Sequence, residues 1–266
     1  MVALVLIHLF VMHYASVPSA TTSAFVGTRW TPAARGVAGW RVFDGMLLLL
    51  ALTHGIVGVH GILREVVRRR GVRAALDTAA GATAVGFLAL GAAAVLAGSP
   101  LHHDAGPLSQ YAWIPGVLIG GLAAVATATY AGVAAAAAAL AWRFVRREPI
   151  GRWSHPGQWA FAFNRTAGAG ILAFLLLHVL DVALVPFAPN LYDRTVAAYA
   201  MPYLLPMEAG LVAAVVYHAL DGLRLITLEA LDRRAAAAGA PSLVALVALT
   251  VSLSLPAVAV LLGWRP

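Results

Sequence analysis

The chain has 266 residues, of which 61% are hydrophobic and 11% charged. Soluble domains carry roughly 25% charge, so that class is excluded. The net charge is +7 and the pI about 10.5, but the basic residues are spread between apolar runs instead of forming one soluble face, which argues against a nucleic-acid partner. Cysteine is absent, which excludes disulfides and thiolate-held iron–sulfur clusters.

The apolar runs are continuous, not alternating, so helices are expected and a β-barrel is not. In chain order the expected spans are roughly 1–15, 43–67, 74–97, 112–142, 163–187, 203–231 and 242–263. The first is short for a ~30 Å hydrocarbon core at 1.5 Å per residue. It carries His8 and His13, and no basic signal-peptide region precedes it. The second carries Asp44, His54, Gly58, His60 and Glu65, and the third has no histidine. The fourth is nearly pure alanine from Tyr130 to Leu140 and reads as a lipid-facing or connecting helix. The fifth holds Arg165 and His178, the sixth Glu208, His218, Gly222, Arg224 and Glu229, and the seventh no histidine. His13, His60, His102, His103 and His155 read as interfacial or loop residues.

All 18 basic residues are arginine, and twelve fall in three links: Arg64–Arg73, Arg143–Arg152 and Arg224–Arg234. By the positive-inside rule these links are cytoplasmic. The chain is then a multi-pass protein of the inner (cytoplasmic) membrane, N-terminus inside and C-terminus outside. The fold class expected is all-α: a polytopic transmembrane bundle of about seven spans.

Comparison of the chain with itself exposes a repeat. Asp44, His54, Gly58 and Glu65 recur as Glu208, His218, Gly222 and Glu229, every position offset by 164. Each copy is preceded by a span with its own histidine, His8 or His178. An ionisable group inside a membrane span is costly and usually faces the bundle interior with a task. Neutral imidazole is a good axial ligand for haem iron. His54 and His218 each lie eleven residues, about 16 Å of helix, from the acid expected at the inner interface, near mid-membrane. A glycine one turn later, Gly58 or Gly222, lies on the same helix face and leaves room for a flat macrocycle. This frame divides the chain into a three-helix repeat at 1–97, a linking region with an extra span at 98–150, and a second three-helix repeat at 151–266.

The segment His218-Ala-Leu-Asp-Gly222-Leu-Arg224-Leu-Ile-Thr-Leu-Glu229 resembles the H-x3-G-x-R-H-x3-D signature of the larger cytochrome b anchor subunit of succinate dehydrogenase and fumarate reductase (complex II). Asn164-Arg165-Thr166-Ala167-Gly168 is similar to the H-R-x-[ST]-G opening of that subunit's first span. His8-Leu9-Phe10, Phe25-Val26-Gly27-Thr28-Arg29-Trp30, Phe43-Asp44 and His54-Gly55-x2-Gly58 resemble the smaller anchor subunit. The two subunits look fused, smaller first, with the fourth span supplying the extra crossing that a fusion requires.

The resemblance implies a membrane anchor of succinate:quinone oxidoreductase, a subunit that lacks dehydrogenase chemistry of its own. It would pass electrons between an iron–sulfur subunit, itself fed by a flavoprotein subunit, and membrane quinone, with a higher oligomer open. His54 and His218 would ligate haem b, and His8 and His178 a second haem. Arg165 would stabilise the reduced quinone, and Arg224 a haem propionate or the quinone. Asp44 and Glu208 would handle protons at an outer quinone site. The chain departs from the family pattern at Leu225 for the second signature histidine, Glu229 for Asp, Asn164 for His, Ala167 for Ser or Thr, Phe161 for an upstream serine, and Glu65-Val66 for Asp-Tyr. These changes leave menaquinone and ubiquinone both open. The arginine expected thirteen residues before His8 would fall before Met1, so the first half lacks it or begins upstream. Two rival readings are a di-haem cytochrome b anchor of a hydrogenase or formate dehydrogenase and a transporter built from repeats.

Overall fold

The computed structural model describes residues 2–11, 22–30, 37–97, 156–198, 205–230 and 240–263. The expected fourth span at 112–142 lies outside them, as do His13, His102, His103 and His155. The described residues contain helices and no strand. The helices are α1 (Val2–Leu9), α2 (Ser23–Trp30), α3 (Val37–Val66), α4 (Arg70–Ala97), α5 (Pro156–Phe187), α6 (Pro189–Ala198), α7 (Leu205–Ala230) and α8 (Ala240–Leu261).

Five of these are long and apolar enough to cross a membrane: residues 39–65, 70–96, 160–186, 205–230 and 242–261. Three of their threonine hydroxyls turn back onto their own helix. Thr53 donates to the Leu49 carbonyl at 2.7 Å, Thr83 to Ala79 at 2.8 Å and Thr250 to Leu246 at 2.8 Å. No hydroxyl among these three then needs a partner in hydrocarbon. Val57, Val85, Ile226 and Val244 are exposed, as lipid-facing positions should be.

Helices α3 and α4 form a hairpin across three residues, Val67, Arg68 and Arg69. Helix α5 packs on both α4 and α7, and α7 pairs with α8. The main core joins Leu48 and Leu52 of α3 to Phe87, Leu90 and Ala94 of α4 and Leu176, Val179 and Ala183 of α5. Small residues permit this approach, as expected where packing and not water exclusion holds helices together. A Cβ on Gly91 would come within 2.5 Å of Leu48 Cδ2. A second core joins Val212 and Val216 of α7 to Ala257 of α8.

Three of the long helices start a turn or more before the expected span, α4 among them at Arg70 instead of 74. Helix α3 starts at Val37 instead of 43, and α5 at Pro156 instead of 163. Hydropathy reads only the part of a helix that lies in hydrocarbon, whereas the hydrogen-bonded backbone runs on into the interface. Two stretches between the expected spans contain the short helices α2 and α6. Neither is apolar enough to register in a span-length window, and each is held by tertiary contact. Val26 of α2 packs with Tyr192 and Val196 of α6 and with Val95, Leu184 and Val185 at the ends of α4 and α5.

Asp193 of α6 also caps α2. Its Oδ1 accepts from the Ser23 backbone N–H at 2.6 Å, and its Oδ2 accepts from Ser23 Oγ at 3.0 Å. Loss of such a cap costs about 0.5–2 kcal/mol. Asp193→Ala is therefore expected to speed amide exchange across Ser23–Trp30 without affecting α7 or α8, as read by hydrogen-exchange mass spectrometry.

The repeat offset recurs in the helix ends. Helices α3 and α7 finish at Val66 and Ala230, and α4 and α8 at Ala97 and Leu261, each pair 164 positions apart.

Candidate functional site

Helix α3 runs past α5, and α5 packs on α7, which brings residues from distant parts of the chain to one level. His54 of α3 and His218 of α7 face each other with ring centroids 5.9 Å apart and planes at 71°. His8 of α1 and His178 of α5 do the same at 6.0 Å and 76°. Phe174, one turn before His178, stacks on its ring at 5.5 Å and 16°.

A metal bound by one nitrogen of each ring at about 2.0–2.1 Å, the usual imidazole–metal distance, sets the two centroids roughly 6 Å apart. Both pairs have that separation. Among the described residues no group of three His, Asp or Glu side chains is placed to cage a bare ion. Haem iron needs only axial ligands from protein, so paired imidazoles suit it.

The second nitrogen of His218 has a partner of the kind that orients metal-binding histidines. Its Nδ1–H donates to the Asn164 carbonyl of α5 at 3.2 Å. That bond fixes the tautomer and leaves the Nε2 lone pair free. The preceding residue, Tyr217, donates through its hydroxyl to the Ala160 carbonyl at 3.1 Å. Two adjacent residues of α7 thus reach carbonyls one turn apart on α5 and set the register of the two helices.

A Cβ on Gly58 or Gly222 would meet nothing within 4 Å. The backbone one turn past each histidine is therefore uncovered, as a flat ligand lying there requires. Haem would fit this donor set: two imidazoles on different helices, one with its outer nitrogen already engaged, beside open backbone.

Arg165 lies one residue beyond Asn164. Its Nη2 donates to Glu65 Oε1 at 2.7 Å, and its guanidinium sits 4.5 Å over the Phe161 ring. The repeat's inner acid and the residue replacing the expected serine thus both hold Arg165. Arg224 instead turns to Asp221, one helical turn before it. Its Nε and Nη2 donate to Asp221 Oδ1 at 2.9 and 2.6 Å, and its Nη1 reaches Ser242 Oγ of α8 at 3.4 Å. Arg165 and Arg224 therefore have different partners.

Asp221 is fully buried, and sequence reasoning missed it. The available signal was an acid three residues after His218 and three before Arg224 in an otherwise apolar run. Gly168 was also missed as a contact. It appears in the opening motif, but only the fold puts it against His218. Glu208 is buried in the first turn of α7, where a carboxylate meets the positive end of the helix dipole. Asp44 is half-buried on α3. His60, read as interfacial, is on α3 with its Nδ1 3.1 Å from Asp77 Oδ1 of α4.

Comparison with known proteins bears on these motifs. Residues 144–255 match the succinate dehydrogenase/fumarate reductase transmembrane subunit family. The succinate dehydrogenase 2 membrane subunit SdhC of Mycobacterium tuberculosis is 45% identical over 74 residues, 28% of this chain and 54% of that protein. The succinate dehydrogenase hydrophobic membrane anchor subunit of Halobacterium salinarum is 28% identical over 83 residues, 30% of this chain and 64% of that protein. The chain thus spans between half and two thirds of the relatives it matches. No solved structure gives a significant match.

Proposed function

We propose that this chain, which matches the succinate dehydrogenase/fumarate reductase transmembrane subunit family across residues 144–255, anchors such a complex and carries electrons between its iron–sulfur partner and membrane quinone. The observation that carries this reading is the pairing of His54 with His218 and of His8 with His178, at 5.9 and 6.0 Å. Each pair draws one ring from either side of the 98–150 link. The matched ends of α3 with α7 and of α4 with α8 support the fused two-repeat organisation.

His54 and His218 would hold one haem b, and His8 and His178 a second, and the groups would supply one-electron transfer. The chain's own residues do the rest. Gly168 packs against His218, and His178 lies ten residues further along α5. At 1.5 Å per residue the two pairs are about 15 Å apart along the helix. The His54–His218 pair is the one nearer Arg165. A quinone beside α5 at that end, menaquinone or ubiquinone, would meet a guanidinium held by Glu65 and Phe161. That cation would favour the reduced, more negative oxygen. Arg64, Arg68, Arg69 and Arg70, all exposed, form a basic surface at the same end for the iron–sulfur and flavoprotein partners.

The Arg165–Glu65 pair is part-exposed, with 27% and 43% of the two side chains accessible, so as a structural contact it contributes at most about 1 kcal/mol. Arg165→Ala is therefore expected to leave thermal stability nearly unchanged. It should raise the quinone KM of the reconstituted complex at least tenfold. An unchanged KM would remove Arg165 from the quinone site. Co-purification with a flavoprotein, against a nickel or molybdenum enzyme, tests the complex assigned here.

A further inference from the structure

We infer that Gly168 is a positioning residue for the His218 imidazole, the means by which α5 sets the direction and basicity of that ring's free nitrogen. The inference rests on His218 being an iron ligand, as proposed above, but the contact itself does not.

In a helix the Asn164 carbonyl is the acceptor for the backbone N–H four residues on, which belongs to Gly168. A carbonyl oxygen has a second lone pair, and here it accepts from His218 Nδ1–H at 3.2 Å. To reach it, the ring must lie over the backbone of residue 168. A Cβ there would sit 3.0 Å from His218 Cε1, 3.4 Å from Nδ1 and 3.8 Å from Nε2. Any other residue would make the ring give by a few tenths of an ångström. Gly170, two residues on, has nothing within 4 Å of the same built atom, so the closeness is particular to residue 168.

The ring has little freedom to give way. It faces the His54 ring at 5.9 Å, and the neighbouring Tyr217 is tied to the Ala160 carbonyl. A methyl group at 168 would push the imidazole by a few tenths of an ångström, and the 3.2 Å bond, already near the long limit, would be lost. An imidazole whose other nitrogen donates to a carbonyl is a more basic ligand, and a more basic ligand favours ferric over ferrous iron. Loss of the bond should therefore raise the midpoint potential of the haem on His218.

The test uses the full chain in lipid bilayers. In the haem-free chain, ¹⁵N NMR of labelled histidine, assigned by difference against His218→Gln, should find His218 protonated at Nδ1. The opposite tautomer would overturn the inference without need of any other variant. Gly168→Ala should abolish that Nδ1–H···O signature, and in the haem-loaded chain it should raise the potential of one haem and shift its low-spin electron paramagnetic resonance. Gly170→Ala should change neither. If Gly168→Ala leaves ring and potential as they were, or alters the ring with no change of potential, the positioning role is refuted. If the ring signature changes but the wild-type chain takes up no haem, the contact stands and the haem assignment falls.

Discussion

Replacing His54 with alanine is expected to remove one b-type haem per chain, with His218→Ala giving the same loss and the double variant no more than either alone. The reason is geometric. Each ring would supply one of the two bonds the iron needs from protein, and the rings are 5.9 Å apart on different helices, so neither could take the other's place. His8→Ala and His178→Ala should remove a different haem, about 15 Å away along α5, and His54→Ala combined with His178→Ala should remove both. The measurement is a reduced-minus-oxidised spectrum with haem quantitation per chain. Neither change should disturb the fold much. His54 is exposed, and the α3–α4–α5 core is carried by Leu48, Leu52, Phe87 and Leu176. A His54→Ala chain with full haem content would take His54 out of the ligand set and overturn the pairing proposed here.

Why His54 and His218 were legible beforehand, while Asp221 and Gly168 were not, follows from the kind of information each depends on. The two histidines stand out locally: they are ionisable groups in apolar runs, repeated at one spacing. Their meeting required only that each be near mid-span. The five long spans in the described residues were similarly legible, because bilayer thickness fixes their length, whereas of the expected span 1–15 the described helix is Val2–Leu9. The short helices α2 and α6 were not, because their stability lies in contacts such as Asp193 with Ser23, across 170 positions. Arg165 was legible as a charge but not as a partner of Glu65. That pairing depends on α5 lying beside α3, which no local pattern states. Gly168 belonged to a visible motif, but its function is an empty volume, and only the neighbour that fills that volume reveals it.

The pair of Asp221 with Arg224 should have the largest effect on stability. Asp221 is fully buried, and 12% of the Arg224 side chain is accessible. Their mutual attraction offsets a desolvation cost that neither can bear alone. Asp221→Ala therefore strips the largely buried Arg224 guanidinium of its two short bonds to a carboxylate, at 2.9 and 2.6 Å. Breaking a buried pair in this way costs about 3–5 kcal/mol. Two effects favour the lower end. Arg224 already touches solvent, and it lies six residues before the end of α7, about 9 Å, so its long side chain can snorkel towards the inner interface. The double variant Asp221→Ala with Arg224→Met removes both charges and should recover most of the loss, since replacing a whole buried pair with apolar groups is often neutral. Unfolding of the reconstituted chain would separate these outcomes. If Asp221→Ala alone is harmless, the pair contributes little to stability. If the double variant is as unstable as the single, the loss comes from the space left at Asp221 and not from the stranded charge.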